Sequence, residues 1–461
     1  MTTWRPDPAA LKRPVYQSLV SVMTDAIEAG TLAAGARLPT HRRMADDLGV
    51  SVQTVSRAYD ALIRLGLIVG QVGRGTFVRS RPEPAPPYIP ERREGELIDL
   101  SMLKPVAGQV HEVAMRTALH ALADSMPDGM LFSFRPNVVL RRHREIAVEW
   151  LARCGIPATP DSVLITNGAT PAIAAALMTA LRPGELVATE AIGHHTLVPL
   201  ANYLGVKLAG LPMDDEGILP DALDALCHAR DVKVLFLMPT AAGPTVALMK
   251  AERRDRIADI ARRHDIMIVE NEAWGPLIAD RPPPFAALAP ERTFNVTSFT
   301  KCVLPGLRVG YLVVPERLMP ASANRHLVTS WMATATVSEI AARWVADGTA
   351  AKLVDWQRQA LAARHDIVRR QLGGVPYRAH PQSLHLWLPL PSAWTEDGFV
   401  QHARLHGVAI APGSSFRIGD TDMPPAVRIC IGATSETELT VGLRVIARLA
   451  ESAPEPALLA I

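Results

Sequence analysis

Between residues 162 and 314 the chain repeats one pattern: a short apolar run, then a longer stretch with apolar residues at helical spacing. The runs fall at 162–166, 186–189, 207–211, 234–238, 266–269, 293–299 and 310–314. A run that stays apolar instead of alternating belongs to a strand covered on both faces. Such strands joined by helices form a largely parallel sheet with helices on either side, so an α/β body is predicted. From about residue 320 helical patterns take over, with strand-like runs near 383–387 and 426–430. The body thus divides into a large α/β part, 98–319, and a smaller α+β part, 320–461. With 48% hydrophobic residues, the chain has enough apolar side chain to fill both cores.

Ligands of open sheets bind beyond the carboxyl ends of the strands. One such end, Thr166-Asn167-Gly168-Ala169-Thr170-Pro171, leads into a helix predicted over 172–181. Backbone N–H groups at a helix start after glycine bind phosphate. The segment is neither G-x-G-x-x-G nor a P-loop, so a nucleotide is not implied. A second end, 238–245, contains Gly243; a third contains Glu270, Asn271, Glu272 and Trp274. Strand alternation sends Asn271 to the face opposite Glu270 and Glu272. The fourth is the turn Ser298-Phe299-Thr300-Lys301-Cys302, running on through Pro305-Gly306 to Arg308. A lysine on a short turn beside a packed sheet loses solvent, which lowers its pKa and makes it a Schiff-base nucleophile. Ser298 and Thr300 can hydrogen-bond a phosphate that Arg308 attracts by charge. The plainer reading is a solvated turn with one lysine, and Cys302 beside it reads as packing.

Residues 1–79 follow another pattern. A helical stripe over 15–28 stops at Gly30; Thr40 caps a short helix over 41–48 that ends at Gly49. Ser51 caps a third helix that buries Val55, Ala58, Tyr59, Leu62 and Leu65 and turns out Gln53, Thr54, Ser56 and Arg57. Two short strands, 67–69 and 76–78, are joined by a tight loop with Arg74 at its tip. This is a winged helix-turn-helix, with the third helix suited to the major groove of double-stranded DNA. Through residue 80 there are ten Lys/Arg against six Asp/Glu, a charge of +4, and the remainder is −2. A small protein-interaction domain is the competing reading.

Residues 80–97 hold Pro82, Pro84, Pro86, Pro87 and Pro90 without apolar periodicity, an extended tether. Four scattered cysteines give no disulfide framework. Neither an apolar leader nor a membrane-length run is present, so a soluble, cytoplasmic protein is expected.

The head, from Leu38-Pro39-Thr40 through Ala58-Tyr59 to Gly73-Arg74-Gly75-Thr76-Phe77-Val78, resembles the GntR family of bacterial regulators. By that resemblance Arg42 holds the DNA backbone, Ser51, Gln53, Thr54, Ser56 and Arg57 form the recognition face, and Arg74 reaches from the wing. Val52 stands where many relatives carry arginine. The four strand ends, in their order and spacing, resemble fold-type I pyridoxal-phosphate enzymes of the aminotransferase family. A GntR head on such a body is a MocR-type regulator. The resemblance implies that Lys301 is the Schiff-base lysine and that Ala169, Thr170, Ser298, Thr300 and Arg308 hold the cofactor phosphate. It places His194 at the ring-stacking position, Asn271 and Trp274 beside the ring, and Arg428 on a substrate or effector carboxylate. A homodimer and a small amine or amino-acid effector follow from the same likeness.

Three positions depart from the family. Asn271 replaces the aspartate that keeps the pyridine nitrogen protonated, Gly243 replaces an asparagine, and Trp274 replaces a tyrosine. The expectation is a DNA-binding regulator that holds the cofactor and transaminates poorly. The alternatives are an active aminotransferase with a DNA-binding head, or a cofactor-free dimerisation scaffold. His194 with His195, and His402 with His406, lack acidic or cysteine partners at suitable spacing, so no metal site is expected. Trp331, Trp344 and Trp356 read as helix-face packing.

Overall fold

The computed structural model describes residues 4–8, 11–64, 67–71, 75–78, 97–128, 130, 132, 141–419 and 423–454. The proline-rich segment 80–96 and Arg74 lie outside the described residues. The chain forms two compact units, Met1–Arg92 and Arg93–Ile461.

In the first unit, three helices, α1 (Val15–Glu28), α2 (His41–Leu48) and α3 (Val52–Arg64), precede two antiparallel strands, Ile68–Gln71 and Gly75–Val78. The predicted caps form. Thr40 accepts the Arg43 N–H, Gly49 closes α2 at φ 63°, and Ser51 Oγ accepts the Thr54 N–H at 3.1 Å. Val55, Ala58, Tyr59 and Leu62 of α3 share one core with Leu19 and Met23 of α1 and Met44 of α2. The buried Tyr59 hydroxyl donates to the Pro39 carbonyl at 3.0 Å, which ties α3 to the start of α2.

The second unit is built on a seven-stranded sheet. Its order is Val163–Thr166, Gly310–Val313, Thr293–Ser298, Met267–Asn271, Val232–Leu237, Leu186–Glu190 and Lys207–Leu211. Every pairing is parallel except the two made by Gly310–Val313. Because that strand is reversed, the lysine turn is a direct connection between neighbours at the carboxyl edge of the sheet. Register sets Gly310 between Ser298 and Thr166. No side chain fits there: a Cβ on Gly310 would lie 2.7 Å from the carbonyl carbon of Gly168.

A smaller antiparallel sheet joins His385–Pro389, Ala426–Cys430 and Ala411–Pro412. The body's first strand, Ile98–Asp99, runs parallel to Val408–Ala409. Two expectations need correction. The helix predicted over 172–181 spans Ala169–Ala180, because Gly168 at φ 96° acts as its cap and Pro171 sits in the first turn, where N–H groups lack partners anyway. Trp331 is not on a helix face; it ends the helix Met319–Ser330 at φ 59° and is about half exposed, whereas Trp344 is buried as expected.

Candidate functional site

One cavity of about 690 Å³ is lined by Ala169, Thr170, His194, Asn271, Trp274, Ser298, Thr300, Lys301, Arg308 and Arg428, the residues expected to hold the cofactor and effector, while Gly243 is not among its lining residues. At one end the first turn of Ala169–Ala180 points unpaired N–H groups outward, and Gly168 lets the Arg308 guanidinium lie against the backbone. A Cβ at Gly168 would meet Arg308 Nη2 at 2.8 Å. Arg308 itself adopts φ 49°, and its guanidinium lies 3.5 Å from Thr300 Oγ1. The Ser298 hydroxyl accepts the Thr300 N–H at 3.2 Å. Helix N-terminus, hydroxyls and guanidinium together form an anion cradle that fits a phosphate.

Lys301 follows the cradle. Its Nζ donates to the Leu103 carbonyl at 2.5 Å. Burial, reinforced by the positive Arg428, Arg308 and Lys104, brings its ammonium down from 10.5 to about 8. The site therefore fits a phosphate-bearing aldehyde: an anion pocket, with a readily deprotonated amine beside it.

At the opposite wall Asn271 ends its strand, buried. Its Oδ1 accepts the Ala273 N–H at 3.3 Å, which leaves the side-chain NH₂ as the group offered to a ligand. Glu270 and Glu272 face away, as alternation requires. Glu270 accepts the Phe285 N–H and the Asn295 amide, and both carboxylates lie within 3.8 Å of Arg254 in the core. Trp274 meets His385 edge-to-face at 5.3 Å. His385 Nε2 lies 3.1 Å from the carbonyls of Gly243 and Pro244, to which it donates. Burial lowers the His385 and His194 imidazoles to about 3, so both are neutral. Arg428 sits above the Phe416 ring at 4.5 Å and donates to the Ser101 carbonyl at 2.9 Å, with no acidic side chain among these partners. Among the described lining residues there is no Asp or Glu, while Lys301, Arg308 and Arg428 carry the positive charge. A ligand with anionic groups at both ends suits this field.

In the head, Arg42, Ser51, Gln53 and Arg57 are exposed and Thr54 and Ser56 half-exposed. The Ser51 hydroxyl is engaged as a cap, and the Arg57 guanidinium lies 4.5 Å from the centre of the Tyr16 ring. Val52, at the first position of α3, is 45% exposed.

Residues 106–446 match the model for aminotransferase class I and II, and residues 15–78 match bacterial regulatory proteins of the gntR family. The chain belongs to the class I and II aminotransferase family and carries a gntR-family head. That is the MocR-type fusion. The relative YdeF of Bacillus subtilis, described as an uncharacterized HTH-type transcriptional regulator, is 26% identical over 97% of this chain and 96% of its own length. The pyridoxine biosynthesis transcriptional regulator PdxR of Corynebacterium glutamicum is 26% identical over 80% of this chain and 82% of its own. Kynurenine aminotransferase from Pyrococcus horikoshii superposes with a TM-score of 0.71 at 22% identity, covering 78% of this chain and 91% of that one. The protein is thus a transcription regulator with an aminotransferase-like body.

Sequence reasoning missed His385 and the 101–103 segment as parts of this fusion's cavity. A histidine inside the otherwise apolar run at 383–387 was the one available signal for His385. The 101–103 segment has no signal, because distant pairings, among them Ile98–Asp99 with Val408–Ala409, carry it toward the site.

Proposed function

We propose that this regulator binds double-stranded DNA through its head and holds pyridoxal phosphate in its body, sensing the cofactor or an amine ligand that reacts with it. The observation that carries this reading is one cavity in which an anion cradle and Lys301 face an amide, Asn271, where a carboxylate would be needed for turnover. Ala169, Thr170, Ser298, Thr300 and Arg308 would hold the phosphate. When bound, the cofactor supplies an aldehyde that condenses with amines and a ring that withdraws electrons once its nitrogen is protonated.

This chain's own residues divide that chemistry. Lys301, with its lowered pKa, provides a neutral amine near pH 8. His194, neutral and buried, packs rather than transfers protons. With its Oδ1 held by the Ala273 N–H, Asn271 would offer its NH₂ to the cofactor's ring nitrogen and would supply no charge to keep a proton there. Trp274 offers only an indole N–H and excludes water. Arg428 would pair with the carboxylate of an amino-acid effector. Two heads reading paired half-sites require a homodimer, and action on DNA places it in the cytoplasm.

The test is an absorption titration of the full chain with pyridoxal phosphate, followed by addition of amino acids. A cofactor band that shifts with amino acid, without sustained keto-acid release, is the expected result. Sustained release would make the protein an aminotransferase, and an unchanged cofactor spectrum would make the body a scaffold.

A further inference from the structure

Away from the cavity, two helices on the body bring three metal-ligating side chains together. Asp224 and His228 lie one turn apart on Pro220–Ala229, and His264 caps the carboxyl end of the neighbouring helix Ala251–Arg263. His264 Nε2 is 2.8 Å from Asp224 Oδ1, and the two imidazoles meet edge-to-face at 4.7 Å. One ligand atom from each of the three residues lies within 4.8 Å of the others. We propose that Asp224, His228 and His264 form a binding site for a zinc-class divalent ion that clamps these two helices together.

The donor set favours that class. Two imidazoles and one carboxylate suit zinc and its transition-metal neighbours, whereas calcium and magnesium demand oxygen shells. Three protein ligands leave a fourth position for water. Shifts of a few tenths of an ångström to about one ångström would bring the donors to the roughly 2.0–2.2 Å that zinc requires. His228 Nδ1–H donates to the Asp224 backbone carbonyl at 2.9 Å, and that tautomer leaves Nε2 with a free lone pair. Ion binding would replace the hydrogen bond between His264 Nε2 and Asp224.

Arg263 is the competitor. Its Nη1 lies 3.1 Å from Asp224 Oδ1, but its side chain is 57% exposed and can swing into water at little cost. The inference is independent of the cofactor reading.

The experiment uses untagged full-length protein, stripped with chelator and titrated with zinc chloride by calorimetry. One ion per chain at micromolar affinity is expected. His264→Gln should weaken binding at least about tenfold, while Arg263→Gln should tighten it by removing a like charge and a competitor. Melting of each metal-free variant checks its folding, and His228→Gln provides a second ligand test. Absence of zinc uptake below millimolar concentration overturns the site. So does an isotherm that neither histidine variant changes, which would place the ion elsewhere, such as at His194 and His195.

Discussion

At one end of the body cavity, Gly168, Arg308 and Gly310 hold backbone geometry that few residues tolerate, and the cradle depends on it. At the other end, Asn271 and Trp274 sit on an ordinary strand end and turn. The first end is specified by conformation: φ 96° at Gly168, φ 49° at Arg308, and no room for a Cβ at Gly310. The second is specified by side-chain charge alone, so an amide can replace a carboxylate without disturbing the sheet. Under the proposed function, anion capture and electron withdrawal are separable in this fold, and the chain would combine the first with a weakened second.

Lys301→Ala is the harshest break. It should abolish covalent capture of pyridoxal phosphate while leaving the cradle able to hold the phosphate, measured by retained but non-covalent cofactor binding. Next in size is the pH dependence. With Lys301 lowered to about 8, about one-tenth of the amine is neutral at pH 7, roughly 300-fold more than at its ordinary 10.5. The rate of capture should climb with pH and level off above about 8; a rate still rising between pH 9 and 10 would show an unperturbed lysine.

Arg308→Gln removes charge-assisted bonds at the anion end and should weaken cofactor binding about tenfold or more by equilibrium dialysis. Asn271→Asp acts at the other end. It should change affinity by no more than about threefold, and raise keto-acid formation because the ring nitrogen then keeps a proton.

The head repeats the contrast on a smaller scale. Thr40, Gly49 and Ser51 form the caps, whereas the exposed Val52 at the start of α3 carries no charge. Val52→Arg should steepen the salt dependence of DNA binding by about one unit of slope, read from binding isotherms across salt concentrations.

Much of this was legible in the sequence because it rests on local rules. The seven apolar runs became seven strands, and the caps at Thr40 and Ser51 formed as their residue types require. Asn271 ends one strand of the sheet, and Lys301 and Arg308 lie on the turn after another, so all three share one cavity, which strand-end logic anticipates. Other features depend on distant pairings. His385 reaches the cavity from the smaller sheet, and Ser101 reaches it because Ile98–Asp99 joins Val408–Ala409. The orientation of the Asn271 amide depends on one bond to Ala273, which no pattern reveals. The approach of His264 to Asp224 likewise arises from helix packing.

The most direct test of capture at Lys301 is borohydride reduction of the full-length protein after incubation with pyridoxal phosphate, followed by mass mapping of peptides. One reduced cofactor adduct per chain, on the peptide containing Lys301 and absent from Lys301→Ala, is the predicted result. An unmodified chain, or an adduct spread over other lysines and unchanged in Lys301→Ala, would contradict it.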